Sequence, residues 1–249
     1  MQFGFGSGLL WGARNDVSPA TPVRFGALQD VQFDFKGEVK ELFGQYQFPL
    51  DSARGKVKIT GKAKFAQINA LMYNQLFFGQ TIATGMPRIA YDETHPVPTT
   101  PFEVVVTNGA TFVDDLGVRY KDTGEYLQQV AAGSEATGKY SVDKTTGTYT
   151  FATGDTGKSL YFDYEWTDTT GYSIAGSNLL MGSAPRFKGV FTEVYENNVV
   201  TLILNRCICP DMSLPTKIDD YVIQDISIEA FADASNNVFT LGMTSGSLG

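Results

Sequence analysis

Residues that could carry chemistry are few and far apart in this sequence. His95 is the only imidazole, and it stands between Thr94 and Pro96 in a predicted loop, where nothing suggests a nucleophile for it to activate. Cys207 and Cys209 are one residue apart, so on a strand both point to the same face and a disulfide between them would be strained. A zinc site needs more ligands than these two thiols and one distant histidine. We therefore expect two buried thiols and a surface histidine.

Acidic pairs and a glycine run are the other candidates. Asp114–Asp115 and Asp219–Asp220 lack the alternating oxygen ligands of a calcium loop and are predicted to be solvated turns. Gly4, Gly6 and Gly8 do not follow a strand, which argues against a nucleotide-binding loop. A carboxylate pair for glycoside hydrolysis stays open at this point. The prediction is a protein that is not an enzyme, with no catalytic, cofactor-binding or metal-binding residue and no cofactor.

Charge is scarce and unevenly distributed. The 249 residues include 19 Lys and Arg against 27 Asp and Glu, a formal charge of −8, and only 18% of residues are charged, against roughly 25% in typical domains. This balance argues against a protein that grips DNA by neutralising phosphates. Four segments carry no charge at all: 1–13, 65–87, 169–185 and 234–249. Because obligate interfaces are depleted in charge, we expect these segments between subunits; the alternative is a core that includes both ends. No apolar run approaches the ~18 residues of a membrane span, so no membrane insertion is expected.

The elements that would position these residues are mostly strands. Residues 30–40 and 55–65 alternate strictly between apolar and polar side chains, which predicts two antiparallel partners. Between them, Glu41–Arg54 is predicted to be a long loop. Residues 66–78 carry apolar side chains at helical spacing, and Gly79 is a plausible stop. The segments 186–196, 199–206, 221–233 and 238–243 are predicted to be further strands.

A change in composition predicts a separate insertion. Residues 95–101 (HPVPTTP) are typical of an extended linker, and residues 101–167 then hold ten acidic against five basic residues in short predicted strands. We therefore divide the chain into an N-terminal arm (1–29), a β core (30–94 and 172–249) with a helix at about 66–78, and an acidic β insertion (95–171), most simply on the outer surface.

Two stretches carry a resemblance to a known family. They are FGFGSGLLWGARND with the following residues 21–79, and TNGATFVDDLGVRYKDTGEYLQQV with GTYTFATGDTGKSLYFDYEWT. Together they resemble the tail tube (major tail) proteins of long-tailed bacteriophages. The resemblance rests on an order of strand, long loop, strand and helix, not on a short catalytic motif.

The resemblance implies a mainly β fold, a tail-tube-type β-sandwich or half-barrel with one flanking α-helix, here with a small β insertion. It implies subunits that form hexameric rings, which stack into the hollow tube that conducts DNA. The expected partners are other copies of the chain and tail proteins such as the tape measure, terminator and baseplate or tip; DNA would pass without tight binding. The expected location is the virion tail, after assembly in the host cytoplasm.

This expectation assigns roles to particular residues. The candidates for the face that lines the lumen are Asp30, Asp34, Glu38, Asp225, Glu229 and Asp233. The candidates for the subunit interface are Phe3, Phe5, Leu9, Leu10, Trp11, Tyr73, Asn74, Phe239 and Leu241. The candidates for a loop that reaches the next ring are Phe43, Tyr46, Phe48 and Arg54. The lysines of residues 56–64 share the acidic face, so either they are neutralised across the strands or that face is not luminal.

Two other functions compete with the tube. One is a β-sandwich binding module, such as a carbohydrate- or receptor-binding accessory protein of the virion, for which Tyr120, Tyr126, Tyr161 and Trp166 are the motivating aromatics. The other is an adaptor or terminator ring at one end of the tail.

Overall fold

The protein is mainly β, with 54% of its residues in strands and several antiparallel sheets, as the sequence predicts. The computed structural model describes residues 6–67 and 70–244. It divides into two compact units, which are described separately. Unit 1 comprises the chain up to Ile82 and from Ile174 onward, and unit 2 comprises Ala83–Ser173.

Fifteen strands are present in the described residues. In chain order they are β1 (Leu9–Arg14), β2 (Val23–Arg24), β3 (Leu28–Phe43), β4 (Pro49–Phe65), β5 (Ile82–Pro96), β6 (Glu103–Val105), β7 (Phe112–Tyr120), β8 (Gln128–Gln129), β9 (Lys139–Asp143), β10 (Thr148–Thr150), β11 (Ser159–Ile174), β12 (Phe187–Tyr195), β13 (Asn198–Ile208), β14 (Gln224–Ala230) and β15 (Phe239–Met243). A short helix α1 (Ala70–Tyr73) continues as a π-helical turn (Asn74–Phe78).

Unit 1 is built on one large sheet in the order β2-β1-β12-β13-β14-β4-β3, with β15 pairing the other half of β13. The predicted pairing of the two alternating segments is confirmed, because β3 and β4 are antiparallel over their whole length. Val31, Ala63 and Ile226 lie in one cross-strand row on the apolar side, which packs into the core. The alternation thus sets the register, since a slip by one residue would turn every apolar side chain to water.

The predicted long loop at Glu41–Arg54 is wrong. β3 runs on to Phe43 and β4 begins at Pro49, so the connection is only residues 44–48, and Arg54 pairs with Val39 inside the ladder. The two strands therefore extend far beyond the sheet as a β-hairpin. A register shift between the pairs Gly37–Val57 and Val39–Arg54 marks a bulge in this extension.

The predicted helix is present but shorter. It begins at Ala70 and ends at Gly79, which adopts φ 64° as a helix stop. Ile68 and Asn69 lie outside the described residues. Met72 and Leu76 are buried as the helical spacing predicts. Tyr73 and Asn74, expected at the subunit interface, are buried too.

Residues 1–29 are not an arm apart from the core. β1 pairs with β12 over six residues and with β2 on its other side, and Leu10 is 1% exposed within the core. Phe3 and Phe5 lie outside the described residues.

Unit 2 begins earlier than the predicted insertion at residue 95. Its three-stranded sheet has the order β5-β11-β7, and its four-stranded sheet has the order β6-β10-β9-β8. The predicted linker at 95–101 is wrong, since β5 runs to Pro96 and Val97 is buried in the core of unit 2. That core is aromatic: Tyr149 lies edge-on to Phe162 at 5.0 Å between ring centroids.

Phe65 links the sheet of unit 1 to its core, where it is fully buried and lies edge-on to Phe25 at 5.5 Å between ring centroids. We expect Phe65→Ala to lower the free energy of unfolding by about 3–5 kcal/mol, because it removes a buried ring and leaves a cavity. Urea unfolding measures this change. The matched control, Phe48→Ala at an exposed position, is expected to shift stability by less than about 0.5 kcal/mol. Equal losses from both variants would contradict the assignment of the core.

Candidate assembly surface

Most of the predicted lumen-facing acids lie on one polar face of three paired strands. Asp30, Lys64 and Asp225 form one cross-strand row, and Asp34, Thr60 and Glu229 form another. Lys58 is ion-paired with Glu229, and Lys36 approaches Asp34 to 3.8 Å. We call this surface the polar face; its charged residues are Asp30, Asp34, Lys36, Lys58, Lys62, Lys64, Asp225 and Glu229.

The polar face is balanced in charge. It carries four carboxylates and four ammonium groups. Lys64 stands between Asp30 and Asp225, and Lys58 is ion-paired with Glu229. Opposite charges across paired strands contribute roughly 0.2–1 kcal/mol each, so the arrangement stabilises the sheet as well as cancelling its charge. A groove of about 430 Å³ runs along this face between Asp30, Lys64 and Asp225. The face therefore has no net charge of its own.

Two of the predicted lumen residues lie elsewhere. Asp233 is beyond the end of β14, where its carboxylate accepts hydrogen bonds from the backbone N–H groups of Ser235 and Asn237 at 2.8 and 2.9 Å. It holds a turn together and does not belong to the cross-strand rows, so its assignment to the lumen face is corrected. Glu38 lies on the projecting hairpin, beside Lys36 and Lys56.

The projecting hairpin exposes an apolar face. β3 continues its core-facing alternation outward through Phe35, Val39 and Phe43, and Val57 joins them from β4; all four are exposed. The tip adds further exposed apolar side chains: Leu42, Tyr46, Phe48 and Leu50, with Tyr46 73% and Phe48 80% exposed. We call residues 35–57 the hairpin. A two-stranded hairpin is marginally stable alone in water, so an uncovered apolar face of this extent favours a partner.

The predicted ring-contact residues are all on this hairpin. Phe43, Tyr46 and Phe48 are brought together at its tip, whereas Arg54 stands further down β4, near Gly37. Phe43 and Arg54 lie in the paired ladder, whereas Tyr46 and Phe48 lie in the short connection 44–48 at its end.

The edges of the sheet are the second exposed feature. In the described part of the chain, β3 is the end strand of the sheet over all of its 16 residues, and β15 is attached on one side only, to β13. Phe239 of β15 lies edge-on to Phe35 at 5.3 Å between ring centroids, and Leu241 and Met243 are exposed beside it. An exposed edge strand can pair with a strand of another chain.

The predicted interface residues therefore divide into three groups. Leu9, Phe239 and Leu241 are exposed and available to a partner, and Trp11 is half-buried on β1. Leu10, Tyr73 and Asn74 are 1%, 5% and 4% exposed, which corrects their assignment. The Tyr73 hydroxyl donates to the Gln224 side chain, and Asn74 Nδ2 donates to the Gln80 carbonyl at 2.6 Å, so the fold itself uses both groups. Phe3 and Phe5 lie outside the described residues.

Other exposed apolar residues lie outside the list of candidate interface residues. Ile218 and Tyr221 are exposed in the connection between β13 and β14, where the neighbouring Lys217, Asp219 and Asp220 hid them from a search for charge-free segments. Leu180 and Met181 are exposed between β11 and β12, inside the charge-free segment 169–185. For Leu180 and Met181, the absence of charge in this segment was the signal in the sequence.

The negative charge of the chain belongs almost entirely to unit 2. Ala83–Ser173 hold thirteen acidic against six basic residues, a formal charge of −7, while the rest of the chain holds fourteen against thirteen. Four of the basic residues are already in ion pairs with carboxylates of unit 2; the pairs are Arg88–Asp168, Arg119–Asp92, Lys144–Asp114 and Lys158–Asp155. The acid excess is therefore a property of the inserted unit.

The aromatics of unit 2 do not form a common platform. Tyr120 is in the core, where its hydroxyl donates to the fully buried Asp155 at 2.6 Å. Arg119 and Lys121 lie over the ring of Tyr161, at 4.7 and 5.3 Å from its centroid. Trp166 is packed against the core of unit 2. Of the four predicted aromatics only Tyr126 is exposed, so these four residues do not form a sugar-stacking surface.

The residues considered for catalysis or metal binding have structural partners. Asp114 is paired with Lys144, and Asp115 accepts hydrogen bonds from the hydroxyls of Tyr140 and Tyr149 at 2.5 and 2.9 Å. Cys207 and Cys209 are free and buried, as predicted, and burial raises the pKa of each thiol to about 12. Within residues 6–67 and 70–244, no group of three His, Cys, Asp or Glu side chains could hold a metal ion.

His95 is tied into a hydrogen-bonded cluster around Glu93. Glu93 Oε1 lies 2.6 Å from His95 Nε2 and accepts from the backbone N–H and hydroxyl of Thr107, each at 2.7 Å. Glu93 Oε2 accepts from the Tyr164 hydroxyl at 2.6 Å. Burial raises the pKa of Glu93, but the hydrogen bonds from Tyr164, His95 and Thr107 together outweigh it, so the pKa is lowered below its usual 4.5.

This cluster predicts an acid-sensitive contribution to the stability of unit 2. A carboxylate whose pKa is lowered by folding stabilises the protein above its unfolded pKa, and this contribution is lost as the pH falls through the lower, folded value. Glu93→Gln is therefore expected to be less stable than the parent at neutral pH, with the difference shrinking below about pH 4.5. Thermal unfolding from pH 7 to pH 3 measures it, with the exposed Glu103→Gln as control. A difference that is constant across this range would contradict the role of Glu93.

Comparisons with known proteins do not assign this chain to a family. No protein-family model matches the chain, and no curated protein matches it. No helix in the described part of the chain is long and apolar enough to cross a bilayer. A functional interpretation therefore rests on the geometry above and on the sequence resemblance.

Proposed function

We propose that this protein is a structural subunit of a phage tail tube, which polymerises through unit 1 into stacked rings around a channel for DNA. The observation that carries the proposal is the hairpin, whose apolar face is the outward continuation of the core-facing side of the sheet. Burying a fully exposed large apolar side chain contributes about 1.5–3 kcal/mol, so covering several of them on each subunit favours assembly strongly.

Sheet edges supply the second argument. If β3 of one copy pairs with an open edge of the next, the contact joins two different surfaces and is heterologous. Heterologous contacts give rings when the rotation closes and open filaments when it does not. A ring whose sheets merge has no free edges left, which removes the hazard of unregulated strand pairing. Six subunits in a ring is the number that the family resemblance implies.

The polar face suits passage of DNA without tight binding. Lys64 stands between Asp30 and Asp225, Lys58 is ion-paired with Glu229, and carboxylates and lysines on the face are equal in number. A phosphate that approaches therefore gains little from neutralisation and counterion release. On this ground we assign the lumen to the polar face. Unit 2, with its formal charge of −7, is assigned no part in lining the channel. In the virion, the tail would be the site of action, with the tape measure and end proteins as further partners.

The assembly itself is tested by negative-stain microscopy and sedimentation of the purified protein at rising concentration. We expect hollow tubes or rings from the parent chain, and Phe48→Ala to raise the concentration needed for assembly at least about tenfold, since one buried ring is lost from each contact. The control is Tyr126→Ala, an exposed aromatic of unit 2, which is expected to assemble like the parent. A parent chain that remains monomeric at all concentrations would contradict the proposal, and isolated rings without tubes would favour an end adaptor.

The lumen assignment is tested by removing two carboxylates from the polar face. The double variant Asp30→Asn, Asp225→Asn leaves Lys64 without the two carboxylates beside it. We therefore expect tighter binding of double-stranded DNA, and a plot of log K against log salt concentration whose slope is steeper by about one. Fluorescence anisotropy of labelled DNA between 50 and 200 mM salt measures this. The control pair Asp122→Asn and Asp143→Asn makes the same charge change in unit 2. DNA binding that rises equally in both pairs would overturn the assignment.

A further inference from the structure

One connection of unit 1 presents uncovered apolar side chains without any charge. Residues 175–185, between β11 and β12, contain no charged side chain. Leu180 is 87% exposed, Met181 is fully exposed, and Leu179 beside them is half exposed. We call residues 175–185 the apolar connection. Large apolar side chains that are exposed together favour binding of a partner.

The apolar connection is held in one conformation by hydrogen bonds within unit 1. The Ser183 backbone N–H donates to the Leu180 carbonyl at 3.1 Å, which closes a β-turn. Gly182 in this turn adopts φ 86°, a conformation that residues with a side chain rarely adopt. Ahead of the turn, the Ser177 hydroxyl donates to the Gln80 side chain at 3.1 Å. A surface that is already ordered loses less conformational entropy when a partner binds.

The hairpin tip, residues 42–50, has matching chemistry. It contains no charged side chain, and its apolar side chains alternate with Gln45 and Gln47, just as the apolar connection combines apolar with uncharged polar residues. A buried aromatic side chain covers roughly 150–250 Å², so Tyr46 and Phe48, at 73% and 80% exposure, offer about 230–380 Å² together. Each partner of a stable interface buries about 800 Å², of which the two rings alone supply between about a quarter and a half.

The hairpin tip and the apolar connection lie far apart on one subunit. The rings of Phe33 on β3 and Phe191 on β12 are 5.5 Å apart, and the four antiparallel pairings between these strands give both the same direction. From this contact β3 continues for about 33 Å to Phe43, whereas the apolar connection joins β12 before Phe187, about 13 Å in the opposite direction. The ladder with β4 holds the tip outward, so the tip cannot reach the apolar connection of its own chain.

Other exposed apolar surfaces of unit 1 suit the tip less well. Ile218 and Tyr221 stand beside three charged residues, which a charge-free tip would bury without pairing them. β15 is already beside the hairpin of its own chain, because Phe239 lies against Phe35 at the base. The apolar connection is both free of charge and distant from the hairpin of the same subunit.

We propose that the apolar connection receives the hairpin tip of a second copy, with the aromatic rings of the tip packed on Leu180 and Met181. This assigns the surface that takes up the hairpin, and it rests on self-assembly as proposed above. Because the two surfaces differ, the contact is heterologous, and each copy keeps one surface of each kind for its next neighbours. Such a contact repeats indefinitely along the direction in which the hairpin projects, as growth of a tube requires.

A charge placed in the apolar connection tests the contact. We expect Met181→Glu to raise the protein concentration needed for tubes at least about tenfold, because its carboxylate would be buried against a tip that has no cation. Sedimentation and negative-stain microscopy measure this. The control Ile218→Glu makes the same change at another fully exposed position and is expected to assemble like the parent. Thermal unfolding of both variants is expected to match the parent, since neither side chain is in the core.

Disulfide trapping between two differently tagged chains locates the contact. One chain carries Tyr46→Cys or Gln47→Cys and the other carries Met181→Cys, and the two are mixed and treated with a mild oxidant. The native thiols are buried and their pKa is raised to about 12, so they react little. We expect a disulfide-linked heterodimer from at least one of the two tip positions. The control, with Ser235→Cys in place of Met181→Cys, is expected to give at least about tenfold less, because Ser235 lies in an exposed turn outside the apolar connection.

The outcomes separate this contact from tube formation itself. If Met181→Glu forms tubes at the same concentration as the parent, or if trapping in tubes is no greater than in the control, the docking is overturned and the tube still stands. A parent chain that stays monomeric contradicts the proposed function. In that case trapping above the control would still support the docking, and trapping equal to the control would overturn it as well.

Discussion

The apolar side of the main sheet does not end where its core ends. Along β3 the same side that half-buries Val31 and Phe33 continues through Phe35, Val39 and Phe43, with Glu41 between the last two. In the described part of the chain these three apolar side chains are exposed, and Phe35 lies against Phe239. Inside unit 1 this alternation fixes the register with β4, and outside it produces an amphipathic hairpin. Burial of apolar side chains stabilises the sheet inside unit 1. Further along the same two strands the apolar side chains are exposed, so their burial favours binding of a partner.

Charge is arranged so that it does not oppose such an assembly. The polar face cancels its own charges across β3, β4 and β14, and the remaining negative charge is carried by unit 2. Three surfaces with uncovered apolar side chains, which are the hairpin tip, β15 and the segment around Leu180, have few charges or none, whereas Ile218 and Tyr221 lie beside charged residues. Interfaces that persist are depleted in charge in the same way.

Local patterns predicted the parts of the fold that depend on neighbours in the sequence. Strict alternation identified β3 and β4, their pairing, and the side each residue takes, and the spacing of Met72 and Leu76 identified the helix. The burial of Tyr73 could not be predicted in this way, because its partner Gln224 lies on a strand about 150 residues away. The prediction for Asp233 was wrong for a different reason. The alternation in the sequence continues past Ala230, but the Asp233 carboxylate accepts backbone hydrogen bonds in the turn that follows the strand. The ladder within residues 41–54 could not be predicted either, because it depends on pairing between the strands that no single segment reveals.

Hydrogen exchange of the backbone amides at low and at high protein concentration tests the central claim most directly. If the hairpin and the open edge of β3 are covered by other copies, amides of residues 35–57 will exchange more slowly at high concentration, while those of unit 2 stay unchanged. Exchange in the hairpin that is equally fast at both concentrations, or protection that appears in unit 2 instead, would contradict the account.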